Sequence, residues 1–248
     1  MRDELLKAGR WAIEQARNRG VEAEAFLLHS EDLTIEVRDG QVDTLKQAEE
    51  IGIGVRVFRD NRMGFSFTTA LDQAAVREAI ERALAGARYT ADDENNGLPG
   101  AVNSYPEMAT YDEYIEKTEL ETKVEMARQV EAEARRHDKR VKVVESSGYE
   151  ESRYSVAVVN SRGTEAFQRG AFCGLYISLM AEENEQVQTG FAVEARRHIK
   201  ELDPARVGTE GAHNAIRLLG AKGAPSRPLP CVLEPYVMTS FLRVLSNS

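Results

Sequence analysis

The sequence predicts an α+β fold, with antiparallel or mixed β-sheets packed with helices. Three observations lead there. Several segments alternate apolar and polar residues with period two, as Leu33, Ile35 and Val37 do against Thr34, Glu36 and Arg38. Tight-turn signals separate them: Asp39-Gly40, Asp60-Asn61 and Asn160-Ser161-Arg162-Gly163. Other runs place apolar residues three and four apart, as in Ala75, Val76, Ala79, Ile80, Ala83 and Leu84.

In chain order, Leu5, Ala8, Ala12 and Ala16 form a helical stripe over residues 3–18, which Gly20 stops. Strands are expected at 21–29, 33–37 and 42–46, with Asp39-Gly40 as the hairpin turn. Ile51, Ile53, Val55 and Val57 make a further strand, and 63–68 pairs back on it. Asp72 is placed to cap the following helix. Residues 1–88 thus read as an N-terminal α+β lobe. Residues 89–117 read as a linker, rich in Asp, Asn, Gly and Pro. Residues 118–202 read as a helix (118–137) plus a β-rich lobe, with strands at 141–145, 154–159, 164–180 and 186–195. Residues 203–248 read as a helix–strand–helix unit. Asp203-Pro204 opens its first helix, 231–233 is a short buried strand, and Pro235 opens a last helix with Val237, Met238, Phe241, Leu242 and Leu245 on one face. That face leaves two readings open. Either a larger fold or a partner covers it, or the helix packs back on the second lobe.

The chain has 248 residues, with 41 acidic and 32 basic side chains and a formal net charge of −9. That charge opposes phosphate backbones and argues against direct nucleic-acid binding as the main task. Two cysteines cannot build a disulfide framework or a four-thiolate zinc site. The N-terminus has no signal-peptide pattern, and no apolar run approaches the roughly 20 residues that span a bilayer. A cytoplasmic setting without membrane association is expected.

No self-sufficient active site emerges from the residues. His29, His137, His198 and His213 contain no pair at the spacing that puts two imidazoles on one helical face. Glu182, Glu183 and Glu185 lack the glycine and spaced ligands of a calcium loop and read as a solvated hairpin tip. No Gly-x-Ser-x-Gly elbow is present, and Ser66 lies on a strand. Cys173 and Cys231 read as small buried hydrophobes. Gly52-Ile53-Gly54 lacks a third glycine and a following helix, so it reads as a flattened strand face and not as a phosphate loop. Arg135-Arg136 with Lys139-Arg140, and Arg196-Arg197 with Lys200, sit among acids and read as ion-paired faces. Neither catalytic nor metal-binding residues are assigned, and substrate-binding residues are left open.

Several segments together resemble the TldD/PmbA family, also called the modulator of DNA gyrase family. They are Ala23-Glu24-Ala25-Phe26, Asp39-Gly40, Gly52-Ile53-Gly54-Val55-Arg56-Val57-Phe58 and Arg62-Met63-Gly64-Phe65-Ser66, then Gly97-Leu98-Pro99 and Tyr105-Pro106. Val159-Asn160-Ser161-Arg162-Gly163, the Asp203-Pro204 helix and Pro230-Cys231-Val232-Leu233-Glu234-Pro235 complete the order. The resemblance implies a cytoplasmic metalloprotease built from two related subunits, acting on unfolded or leader-bearing peptides such as peptide-antibiotic precursors. One subunit type carries a His-Glu-x-x-x-His zinc helix, and the PmbA (TldE) type lacks it. The motif would fall on Arg243-Val244-Leu245-Ser246-Asn247-Ser248, which holds neither histidine nor glutamate. The resemblance therefore implies the N-terminal portion of a PmbA/TldE-type subunit, with no cofactor in this chain and zinc in a TldD-type partner. A homodimer is the alternative assembly, and a protein-binding modulator of DNA gyrase the alternative role.

Overall fold

The computed structural model describes residues 1–101 and 104–246. Its elements run α1 (Arg2–Arg17), β1 (Glu22–Arg38), β2 (Gln41–Arg59), β3 (Arg62–Thr68), α2 (Gln73–Ala87), α3 (Glu113–Lys117), α4 (Leu120–His137), β4 (Val141–Asn160), β5 (Glu165–Glu183), β6 (Gln186–Arg196), α5 (Pro204–Ile216) and α6 (Pro235–Ser246). The strands form one six-stranded sheet, ordered β3-β2-β1-β4-β5-β6. Every pairing is antiparallel. The fold is α+β, and the described residues contain no parallel pair.

Three two-residue turns set the hairpin registers. Asp39-Gly40, Asp60-Asn61 and Asn184-Glu185 all have positive φ at both positions, the handedness that suits twisted strands. The β1–β4 crossover carries α2, α3 and α4. Asp72 caps α2 by accepting from the backbone N–H groups of Ala74 and Ala75. Asp203 caps α5 through the Arg206 N–H.

The helices cover one sheet face in two blocks. Along β1, Ala23, Ala25 and Leu27 belong to a core with α1 and α2. Ile35 and Val37, on the same pleat face ten residues on, belong to a second core with α4 and α5. Gly64 lets α2 approach β3 closely, because a Cβ there would collide with the Ala83 carbonyl. The opposite face carries no helix block and exposes Phe26, Phe65, Phe67, Phe172 and Phe191.

Several elements differ from expectation. The runs at 21–29 and 33–37 are one strand, as are 42–46 with 51–57, and 141–145 with 154–159. Polar residues interrupt the apolar pattern at each join, yet neighbouring strands continue the ladder there. Residues 231–233 form no strand, and Cys231 and Val232 are exposed. Both sheet edges lie elsewhere, so this Pro-flanked segment finds no ladder. Helix α6 forms where expected but has no buried residue. Its recorded ring contact is Tyr236 against Phe191 of β6, 5.8 Å between centroids, in the first turn. Met238, Phe241 and Leu242 stay exposed, so the helix does not lay its apolar face on the second lobe.

Candidate functional site

Between the two cores, the helix-covered face turns polar. The β1 register places Glu31 between Glu49 on β2 and Arg153 on β4. One step along, His29 stands between Ile51 and Ser155. His29 is buried, and its Nε2 lies 2.8 Å from Glu49 Oε1 and 4.0 Å from Glu31 Oε1. Arg153 holds the other Glu31 oxygen and also lies 3.6 Å from Glu116 and 3.7 Å from Glu151.

Further along, the seam becomes fully buried. Glu151 accepts from the Tyr149 hydroxyl at 2.6 Å and meets Lys123 Nζ of α4 at 2.6 Å. Lys123 and Glu151 are 4% and 5% exposed, so each charge depends on the other for compensation. Burial first, then the Glu151 charge, pushes the Tyr149 phenol well above its ordinary range. At the mouth, the Tyr111 hydroxyl donates to Glu116 at 2.6 Å, and the Arg169 guanidinium stacks 3.7 Å from the Tyr111 ring centroid. That hydrogen bond, aided by Arg153 and Arg169, holds the Glu116 carboxyl below the usual carboxylate range. A cavity of about 380 Å³ opens here, lined by Arg2, His29, Glu31, Tyr111, Arg153 and Arg169 among others.

The residues weighed from sequence are scattered. His137 ends α4, His213 lies within α5, and His198 is 3.8 Å from Asp112. Among the described residues, the one group of three metal-capable side chains brought together is His29, Glu31 and Glu49. Glu182 and Glu183 end β5, and Glu185 sits in the hairpin turn. Ser66 lies on β3. Cys173 is buried, and burial raises its thiol to about 12, which makes it inert at neutral pH. Cys231, expected to be buried, is exposed. Gly52 and Gly54 lie on β2, with the Phe65 ring over Gly54. Arg135, Arg136, Arg140 and Arg196 are all ion-paired.

Sequence reading missed Glu31, Glu49 and Arg153. Part of the signal was legible: His29 and Glu31 are two apart on a strand and therefore share a face. Glu49 and Arg153 join them through strand register, which no local pattern displays.

Two family models match the chain: PmbA/TldA metallopeptidase domain 1 over residues 23–87, and the PmbA/TldA metallopeptidase central domain over residues 113–219. The chain belongs to the PmbA/TldD family. Metalloprotease PmbA of Escherichia coli O157:H7 is 25% identical over 243 residues, covering 95% of this chain and 53% of that protein. The Metalloprotease PmbA homolog of Haemophilus influenzae is 23% identical over 245 residues, covering 96% and 53%. This PmbA/TldD chain thus spans about half the length of these curated relatives. Among solved structures, TldE from Thermococcus kodakarensis superposes with a TM-score of 0.75 at 23% identity, over 84% of this chain and 47% of that one. A Bacteroides thetaiotaomicron protein proposed as a modulator of DNA gyrase gives 0.80 at 25%, over 88% and 51%.

The metallopeptidase name raises the question of zinc. On the sequence resemblance, the family's zinc motif would fall on residues 243–248. Arg243, Val244, Leu245 and Ser246 lie on α6 and offer neither imidazole nor carboxylate, while Asn247 and Ser248 lie outside the described residues. These side chains do not fit a zinc ion, and no hydrolytic step is derived through them.

Proposed function

We propose that this chain serves as part of a non-catalytic, PmbA/TldE-type subunit of a metalloprotease. The assembly would act in the cytoplasm on unfolded or leader-bearing peptides, as in peptide-antibiotic maturation. The observation that carries the reading is the last turn of α6, where the family's zinc ligands would stand and this sequence has Arg243, Val244, Leu245 and Ser246. Water activation then falls to a zinc-bearing, TldD-type partner. Two further features support the reading. The sheet has edges at β3 and β6, and an edge strand offers backbone donors and acceptors to an extended peptide whatever its side chains. Helix α6 presents exposed Met238, Phe241 and Leu242, an apolar face suited to a subunit contact.

The test is co-elution. The chain, in its full reading frame, is mixed with a zinc-bearing TldD-type relative and passed through size exclusion. A stable complex in which Phe241→Asp weakens assembly is expected. Separate elution of the two proteins would refute the subunit role. A homodimer would appear as a self-associated species that excludes the relative. The gyrase reading draws on the name proposed for the Bacteroides relative. A pull-down that retains gyrase and no peptidase subunit would favour it.

A further inference from the structure

The polar seam holds one arrangement that neither the fold nor the proposed subunit role uses. His29 and Glu31 share the helix-covered face of β1. Glu49 stands directly opposite Glu31 in the β1–β2 register. Like charges directly opposite on one face weaken a ladder, so this pair calls for a cation. Arg153 supplies part of it, but it binds Glu31 Oε2. Glu31 Oε1 faces the other way, 4.0 Å from His29 Nε2, and Glu49 Oε1 lies 2.8 Å from that same nitrogen. The three ligand atoms all lie within 4.8 Å of one another.

We propose that His29, Glu31 and Glu49 bind one divalent transition-metal cation, such as zinc, through one imidazole nitrogen and two carboxylate oxygens. This location is distinct from the position of the family's zinc motif at residues 243–248. Ligands about 2.1 Å from a tetrahedral ion stand about 3.4 Å apart. Closing on such an ion asks Glu49 Oε1 to move out from 2.8 Å and Glu31 Oε1 to move in from 4.0 Å of the His29 nitrogen, with the two carboxylate oxygens closing from within 4.8 Å of each other. Glu49 can do so, because its side chain is 69% exposed. Arg153 then acts as an outer-shell partner that keeps Glu31 Oε1 aimed at the ion. A cavity lined by His29 and Glu31 adjoins the cluster and has room for a water as a fourth ligand. Two carboxylates balance the charge of a dication. The imidazole favours a transition metal over calcium or magnesium, which take oxygen ligands. The competing occupant is a proton on His29 bonded to Glu49, and the experiment separates the two.

The purified chain, stripped with chelator, is titrated with zinc chloride by calorimetry near pH 7.5, because metal binding competes with protons for the ligands. One saturable site per chain is expected. Glu49→Gln, an isosteric change at an exposed side chain that leaves the fold intact, is expected to weaken binding at least tenfold. His29→Gln is expected to abolish it and to remove the visible absorption of the cobalt-substituted protein. His213→Ala, far along the chain on α5, should leave affinity unchanged. Absence of a saturable site, or equal affinity in Glu49→Gln and wild type, overturns the proposal and leaves the hydrogen-bonded His29–Glu49 pair. Should His29→Gln fail to fold, Glu49→Gln alone decides. No partner subunit enters the measurement, so its outcome is separate from that of the co-elution test.

Discussion

Asn184 and Glu185 turn the β5–β6 hairpin with φ of 49° and 64°. A side chain beyond Asn or Asp in that left-handed region costs roughly 1–2 kcal/mol, partly offset because glycine loses more freedom on folding. Glu185→Gly is therefore expected to stabilise the protein by about 0.5–1 kcal/mol, read from urea unfolding midpoints. An unchanged or lowered midpoint would contradict the turn geometry. Lys123 poses the opposite case. Lys123→Met leaves Glu151 buried without its main cation and is expected to cost about 3–5 kcal/mol, toward the lower end because Arg153 stands 3.7 Å away. Lys123→Met combined with Glu151→Gln removes the stranded charge and keeps an acceptor for Tyr149, so the double variant should be more stable than the single one. Equal or greater destabilisation in the double variant would show that the pair is not coupled. At this scale the sequence was partly legible. Asp72 and Asp203 announced their helix caps because capping is a local hydrogen bond. Nothing local in the sequence marks Glu151 and Lys123, since their meeting depends on α4 packing against β4.

Helix α4 hands the chain to β4 through Asp138, whose carboxylate accepts from the Arg140 backbone N–H at 2.9 Å and from its guanidinium at 2.8 and 3.1 Å. The guanidinium, and then the backbone N–H, hold the Asp138 carboxyl down at about 2, below its ordinary 3.8. A folded-state value below the unfolded one stabilises the native state above the unfolded value, and that contribution disappears as pH falls through the folded one. Wild type should therefore exceed Asp138→Asn in unfolding free energy at pH 5, and the gap should close between pH 4 and 2. A gap that persists unchanged at pH 2 would rule out the Arg140 contact as its source. The strands teach a different lesson. Period-two alternation located the apolar ends of β1, β2 and β4, but each read as two short strands because the polar seam crosses their middles at His29–Glu31, Glu49–Glu50 and Glu151–Arg153. Alternation reports burial, whereas a ladder continues wherever a neighbour's backbone is available. The same seam that hid strand continuity in the sequence is the candidate site.

Across the whole molecule, one antiparallel sheet carries helices on one face and exposed aromatic rings on the other, with α6 held outside both cores. The α+β class was legible because turn chemistry and periodicity are local. The joining of the strands into a single sheet was not, since the β1–β4 pairing links residues more than a hundred positions apart. Family membership rests on motif order along the chain and on the matches over residues 23–87 and 113–219. The proposed function makes a chemical claim: the water-activating ion for peptide hydrolysis would belong to a different polypeptide. Its most direct test incubates the isolated chain with an unfolded peptide, with added zinc and with chelator, and follows cleavage by mass spectrometry. No cleavage in either condition, and cleavage once a zinc-bearing TldD-type relative is added, is the expected result. Chelator-sensitive cleavage by the isolated chain would contradict the account.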